Sequence, residues 1–177
     1  MHLYVVRHGS TYNNVNGLIN GRNDIDINDK GIEDAKIASL ILQDISFDRV
    51  ISSPLLRAKH TADIIVNERL PISYDERITE RDAGVLTSKK VTDIDFSNWY
   101  SLKVNHTVGG AETFSEVAER VNLFLEELKR KYPNETILIV THAGVMKALE
   151  VCIFGYPGID GIKNWQYSNG AVRNYNL

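Results

Sequence analysis

The stretch Thr136–Thr141 limits the possible folds of this chain more than any other. Its four central residues are all apolar, and strands that are buried on both faces of a parallel sheet carry such continuous apolar runs. The tripeptide His142-Ala143-Gly144 follows directly, and a helical pattern then runs over residues 145–153. We therefore predict a central parallel strand that leads straight into a helix.

The same alternation of strand and helix continues along the chain. Short strands are predicted at residues 3–6, 48–52 and 72–75, and a strand-like segment at 171–175. Helices are predicted at residues 30–43, 55–67 and 113–132. This order predicts an α/β protein, a three-layer sandwich with a mainly parallel central sheet and helices on both faces. A length of 177 residues suits one domain that covers residues 1–177.

Composition excludes several classes of protein. The formal net charge of −3 provides no basic surface for nucleic acid. The single cysteine, Cys152, cannot form an intrachain disulfide, and its apolar surroundings predict a buried, inert thiol. No apolar run is long enough to span a bilayer, and no basic leader precedes the first strand. We expect a cytoplasmic protein that binds neither nucleic acid nor membrane.

Four polar side chains follow predicted parallel strands at their carboxyl ends. They are Arg7, His8, Arg57 and His142. Because these ends share one edge of a parallel sheet, the four side chains are expected to converge on one crevice. Arg57 falls in the first turn of a helix that Ser53 and Pro54 are predicted to begin. An arginine there opposes the helix dipole, so either a bound anion explains it or it is a solvated side chain.

Two arginines and two histidines around one crevice predict an anion site. Guanidinium groups bind phosphate oxygens bidentately through charge-assisted hydrogen bonds. Two imidazoles without a third ligand make a poor metal site, because the neighbouring arginines repel a cation. The alternative is a structural pair of histidines, although neither of them lies on an apolar helix face.

Several segments in chain order resemble the histidine phosphatase superfamily, the phosphoglycerate mutase-like enzymes. The resemblance covers nearly the whole chain and rests on Arg7-His8-Gly9, Asn14, residues 52–58, Glu80, residues 109–112 and residues 141–145. It implies the phosphoglycerate mutase-like fold and a phosphoryl transfer that needs no metal and no organic cofactor.

The resemblance also implies a role for each matching residue. His8 would be the nucleophile, presented to solvent at a strand end and converted to phosphohistidine. Arg7, Arg57 and His142 would hold the equatorial oxygens of the phosphoryl group, His142 counting also as catalytic. Asn14 would donate a hydrogen bond to the same group. Glu80 would protonate the leaving oxygen and then activate water.

One segment departs from the family pattern. After Glu80 the chain reads Asp82-Ala83-Gly84-Val85, with Ala83 in place of a usual aromatic residue, so the wall facing the leaving group is less well defined. Residues 83–110 are predicted to form a lid or specificity insertion. This segment carries the basic residues Lys89, Lys90, Lys103 and His106. Their side chains either bind a second anionic group or keep the loop soluble.

These features favour a phosphatase that acts on a small phosphorylated metabolite. The alternatives are a cofactor-dependent mutase of the same family and a non-catalytic module that binds a phosphorylated ligand. The short span of residues 83–110 favours the phosphatase, because the mutases are similar to chains with a larger insertion there. The sequence leaves the physiological substrate and the oligomeric state open.

Overall fold

The computed structural model describes residues 1–103 and 109–177, so His106 lies outside the described residues. The strands are β1 His2–Arg7, β2 Arg49–Ser52, β3 Ile72–Tyr74, β4 Thr136–Thr141 and β5 Val172–Asn176. The helices are α1 Tyr12–Val15, α2 Asp29–Ile41, α3 Leu56–Val66, α4 Phe114–Lys131, α5 Ala143–Phe154 and α6 Gly158–Asn164. Short 3₁₀ turns lie at Glu76–Ile78, Gly84–Leu86 and Val91–Asp93.

The five strands form one sheet in the order β3-β2-β4-β1-β5. The run at Thr136–Thr141 is its central strand and pairs in parallel with β1 on one side and β2 on the other. Strand β3 extends the parallel sheet, whereas β5 pairs antiparallel with β1 and forms an edge. The predicted α/β class with a mainly parallel sheet is confirmed.

Helices cover both faces of this sheet, as predicted. Alternate residues of a strand point to opposite faces. Leu3 and Val5 of β1 accordingly pack with α4 and α5, while Val6 packs with α2 and α3. These three side chains are fully buried, and burying one such side chain stabilises a fold by about 1.5–3 kcal/mol.

Local sequence explains where α4 begins and ends. The side chain of Thr113 accepts the backbone N–H of Glu116, and the Glu116 carboxylate accepts the backbone N–H of Thr113. This is the predicted capping box. The helix ends at Lys131, with Tyr132 as its C-cap ahead of Pro133.

The predicted cap of one helix was wrong, and one short helix was missed. Helix α3 begins at Leu56, close to the predicted start at residue 55, but its N-cap is Leu55 instead of Ser53 and makes no side-chain capping bond. The hydroxyl of Ser53 instead contacts His142, so a tertiary contact takes the place of the expected cap. Helix α6 was not predicted, because seven residues that include two glycines show no clear apolar period.

Among the helices of the described ranges, none is both long and apolar enough to cross a bilayer.

Candidate active site

The strand register explains why the predicted side chains meet. Arg7, the last residue of β1, lies opposite Thr141, the last residue of β4. The ladder continues one residue further, where the N–H of His8 donates to the Thr141 carbonyl over 2.9 Å. On the other side of β4, the N–H of Ser53 donates to the Val140 carbonyl over 2.9 Å. The polar residues after β1, β2 and β4 therefore lie along one edge of the sheet.

His8 is held in one orientation by its own loop. Its Nδ1 lies 2.7 Å from the Gly9 carbonyl oxygen. A carbonyl only accepts, so Nδ1 carries the proton and Nε2 keeps its lone pair. Gly9 itself packs closely, because a Cβ there would lie 2.2 Å from the Gly31 carbonyl oxygen. The loop after β1 is thus anchored against the start of α2.

The expectation that His8 is presented to solvent was wrong. Its side chain is buried, with a relative exposure of 2%. Burial, followed by the charges of Arg57 and Arg7, holds the pKa of His8 well below the usual 6.5. The imidazole is therefore neutral at pH 7, which is the state that has a nucleophilic lone pair.

His142 lies beside His8, with 5.1 Å between the ring centroids. Its Nε2 is 2.7 Å from the Ser53 hydroxyl. Burial and the neighbouring Arg57 hold the pKa of His142 well below 6.5, so its ring is also neutral. When Ser53 donates its proton to Nε2, the proton of the ring resides on Nδ1, which has no hydrogen-bond partner among the described residues.

Both arginines are fixed by backbone carbonyls. Arg57 is fully buried, and its terminal nitrogens donate to the carbonyls of Asn23 and Gly21 over 2.6 and 2.8 Å. Arg7 donates to the Tyr167 carbonyl over 2.6 Å. Burial lowers the pKa of Arg57 from 12.5 to about 10, so the guanidinium is still charged at neutral pH. Carbonyls orient these cations without neutralising them.

Three buried nitrogens at this edge have no partner within the described part of the chain. They are Nε of Arg7, Nε of Arg57 and Nδ1 of His142. A buried polar group without a partner costs about 1–3 kcal/mol, and folded proteins rarely leave several of them together. Arg7 and Arg57 lie close enough to His8 and His142 for their charges to lower the pKa of both histidines. We interpret the cluster as a candidate anion site.

Asn14 is linked to the His8 loop through Asn169. Its Oδ1 accepts from the backbone and hydroxyl of Thr11 and, over 3.2 Å, from Nδ2 of Asn169. With the oxygen fully engaged, the nitrogen is the group left to donate to a ligand. Asn169 also donates to the His8 carbonyl over 3.0 Å. Asn169 has no place in the predicted site, so its contacts with Asn14 and with the His8 carbonyl were missed.

Glu80 lies against the start of α5. Its Oε2 accepts the N–H of Gly144 over 3.4 Å, and its Oε1 accepts the N–H of Arg81 over 2.9 Å. Gly144 leaves room for this carboxylate, because a Cβ there would lie 2.4 Å from Oε1 of Glu80 and would displace it. The carboxylate thus sits at the positive end of a 12-residue helix, next to His142.

Replacing Gly144 with alanine tests this contact. The added methyl group must displace the Glu80 carboxylate, so we expect Gly144→Ala to lower kcat on alkyl phosphates by about 10²-fold, the loss that a 1 Å misplacement can cause. The Tm should change little, because alanine favours a helix. The control is Lys36→Ala, which places an alanine on the exposed face of α2. A variant Gly144→Ala with wild-type kcat would contradict the placement of Glu80.

Two other carboxylates near Glu80 have structural partners. Glu112 forms ion pairs with Arg120 and Arg22 at 2.6 and 3.3 Å. Asp82 accepts the N–H of Gly84 over 2.8 Å. Their contacts fix the chain that follows Glu80.

The predicted lid begins with a tight backbone contact. Gly84 has a φ of +51°, and a Cβ there would lie 2.3 Å from the Gly109 carbonyl oxygen. The lysines Lys89, Lys90 and Lys103 are exposed on this segment. These three lysines are therefore solvent-exposed and are not buried beside the candidate anion site.

Comparison with known proteins shows which family the chain belongs to. The model of the histidine phosphatase superfamily (branch 1) matches residues 3–176. The adenosylcobalamin/alpha-ribazole phosphatase of Escherichia coli (strain K12) is 30% identical over 164 residues, covering 89% of this chain and 81% of that protein. The probable phosphoglycerate mutase GpmB of Escherichia coli O1:K1 / APEC is also 30% identical over 164 residues, covering 89% and 76%.

A solved structure agrees over the whole length. The alpha-ribazole phosphatase from Shigella flexneri superposes with a TM-score of 0.87 at 29% identity, covering 100% of this chain and 91% of that one. Fold, strand-end residues and sequence matches thus agree, and the chain belongs to the histidine phosphatase superfamily, branch 1.

Proposed function

We propose that this protein is a phosphoric monoester hydrolase that acts on a small phosphorylated metabolite through a phosphohistidine on His8. One observation carries the proposal. Within residues 1–103 and 109–177, buried nitrogens of Arg7, Arg57 and His142 have no hydrogen-bond partner, and they lie at the sheet edge that carries the neutral imidazole of His8, whose Nε2 makes no hydrogen bond there. Family membership and the phosphatases among its relatives support the same reaction.

In the first step His8 Nε2 attacks phosphorus in line, and the bond to the leaving oxygen breaks. Arg7, Arg57 and His142 hold the equatorial oxygens, where negative charge is spread in the transition state. Protonated Glu80 gives its proton to the leaving oxygen, which departs as an alcohol. Asn14 donates its amide N–H to the phosphoryl group.

In the second step water replaces the alcohol. Ionised Glu80 takes a proton from that water, the oxygen attacks phosphorus, and the bond to Nε2 breaks to release inorganic phosphate and neutral His8. The two guanidinium groups supply the positive charge that magnesium supplies in other phosphoryl transferases. The mechanism therefore uses the chain's own residues alone.

A mutase is the second candidate, because one relative is a probable phosphoglycerate mutase. Both reactions share the first step and differ in whether water or a second alcohol accepts the phosphoryl group. The short insertion at residues 83–110 favours water as the acceptor. We place the enzyme in the cytoplasm, with no nucleic-acid or membrane partner, since its one cysteine and its acidic net charge suit that compartment.

The test is a metal-free hydrolysis screen. The purified chain is assayed with p-nitrophenyl phosphate and a panel of phosphorylated metabolites, and 3-phosphoglycerate isomerisation is followed in parallel. Phosphate release with a clear preference supports the hydrolase. Isomerisation that depends on 2,3-bisphosphoglycerate supports the mutase, and the absence of both activities supports a binding module.

Glu80→Gln tests the acid–base role. Glutamine cannot donate a proton to the leaving oxygen, so we expect a loss of about 10²–10⁴-fold on alkyl phosphates, the usual contribution of general acid catalysis. Hydrolysis of p-nitrophenyl phosphate should fall much less, because p-nitrophenolate leaves without protonation. The matched control is Glu126→Gln on the exposed face of α4. Equal losses on both substrates would show that another group is the acid.

A further inference from the structure

The two buried histidines of the site contact chemically different partners. The backbone carbonyl of Gly9 lies 2.7 Å from Nδ1 of His8. The hydroxyl of Ser53 lies 2.7 Å from Nε2 of His142. A carbonyl can only accept a hydrogen bond, whereas a hydroxyl can both donate and accept. The contact with Ser53 therefore leaves the tautomer of His142 open until the protons of both groups are counted.

Backbone pairing fixes the position of Ser53 against His142. Ser53 directly follows β2, and its N–H donates to the carbonyl of Val140 in β4 over 2.9 Å. His142 directly follows β4, whose last residue is Thr141. Neither Ser53 nor His142 has any exposed surface. The hydroxyl and the imidazole thus meet between the ends of two neighbouring strands, away from solvent.

The number of unpartnered groups decides which of the two residues donates. If Ser53 donates to Nε2 of His142, the ring proton lies on Nδ1, and the hydroxyl oxygen still accepts the N–H of Leu55 over 3.4 Å. If Nε2 donated instead, the hydroxyl proton and the Nδ1 lone pair would both lack a partner within residues 1–103 and 109–177. Burying two such groups costs more than burying one. Ser53 is therefore the donor.

The two histidines then have the same tautomer but present opposite nitrogens. His8 binds the carbonyl through its Nδ1 proton, so its Nε2 keeps the lone pair that attacks phosphorus. His142 also carries its proton on Nδ1, and this N–H is the group without a partner in the described part of the chain. Ionised phosphoryl oxygens only accept hydrogen bonds, so a neutral His142 can bind one only through a protonated Nδ1. Burial and the charge of Arg57 hold the pKa of His142 well below 6.5, so the ring does not gain a second proton at neutral pH.

We propose that Ser53 is a positioning residue whose hydroxyl, by donating to Nε2 of His142, keeps Nδ1 protonated as a donor to the phosphoryl group. The proposal rests on the proposed function, in which His142 holds an equatorial oxygen. With the other tautomer, the Nδ1 lone pair would face the phosphoryl oxygens and repel them as negative charge develops. Ser53 thus acts on the reaction through the imidazole and does not touch the substrate.

The tautomer can be measured by ¹⁵N NMR of the imidazole rings. Protonated and bare ring nitrogens resonate far apart, and His142→Asn identifies the signals of His142 by removing them. In the wild-type chain at pH 7 we expect a protonated Nδ1 and a bare Nε2. Ser53→Ala should move the proton toward Nε2, because a neutral histidine side chain without a fixed partner prefers that tautomer. Ser53→Thr keeps the hydroxyl and should restore the wild-type pattern.

Kinetics show whether this tautomer matters to the reaction. Loss of one preorganised donor to a developing charge costs about 10²–10³-fold, so we expect Ser53→Ala to lower kcat/KM on p-nitrophenyl phosphate by about 10²-fold. Ser53→Thr should recover most of this loss. The matched control is Ser52→Ala, because Ser52 is equally buried and its hydroxyl donates to a backbone carbonyl over 2.9 Å. This control should keep both the tautomer of His142 and the wild-type kcat/KM.

The outcomes separate this inference from the proposed function. The wild-type spectrum alone overturns the inference if His142 carries its proton on Nε2. The inference also fails if Ser53→Ala shifts the tautomer without lowering kcat/KM, or if Ser52→Ala has the same effects as Ser53→Ala, which would be effects of packing. If the wild-type chain hydrolyses no phosphate ester but Ser53→Ala still shifts the tautomer, the proposed function fails and the hydrogen bond from Ser53 to His142 stands.

Discussion

His8→Ala is expected to abolish turnover, with kcat on p-nitrophenyl phosphate falling by about 10⁴-fold or more. Loss of an enzyme's nucleophile has effects of this order, because the reaction then lacks its covalent intermediate. A single turnover with ³²P-labelled substrate should label the wild-type chain and leave the variant unlabelled. Substantial residual hydrolysis by His8→Ala would show that His8 is not the nucleophile.

The matched control for this variant is His60→Ala. His60 is a half-exposed histidine on α3 that contacts Asp26, away from the sheet edge. Its loss should leave both hydrolysis and labelling unchanged. Because His8 is buried, thermal unfolding of His8→Ala must show a cooperative transition before the kinetic loss is ascribed to chemistry. The neutral state of His8 in the fold means that its removal leaves no charge unpaired.

Much of the fold follows from local sequence. The apolar run at β4 and the capping box at Thr113 act within a few residues, so a single stretch of chain reveals them. The N-cap of α3 does not follow, because Ser53 contacts His142, which lies 89 residues away. The residues of β5 likewise do not show that this strand pairs antiparallel with β1.

In the candidate site too, some features follow from local sequence and others depend on contacts with distant residues. Chain order and strand ends predicted that Arg7, His8, Arg57 and His142 would share one edge of the sheet. Their orientation depends on groups distant in sequence: the carbonyls of residues 21 and 23 hold Arg57, and the amide of Asn169 holds the His8 loop. Burial of His8 is a further consequence of loop packing that no local pattern reveals. Strand position alone suggested an exposed side chain.

Arg57→Met is expected to lower kcat/KM by about 10³-fold. Removing one preorganised donor to a developing negative charge costs about 10²–10³-fold, and Arg57 supplies a full positive charge as well. Hydrolysis of p-nitrophenyl phosphate is the measurement. Arg130→Met, which removes an exposed arginine near the end of α4, is the matched control and should behave as wild type.

Binding of inorganic phosphate separates the anion site from the nucleophile. A ligand that binds only the folded chain raises its stability by RT ln(1 + [L]/Kd), so added phosphate should raise the Tm of the wild-type protein. His8→Ala keeps Arg7, Arg57 and His142, and should therefore keep this rise. Arg57→Met should lose most of it, because the chain that remains has one guanidinium and leaves the carbonyls of Gly21 and Asn23 unpaired. If phosphate stabilised Arg57→Met as strongly as the wild-type chain, its binding would not involve the strand-end arginine. The unpartnered nitrogens would then require another ligand.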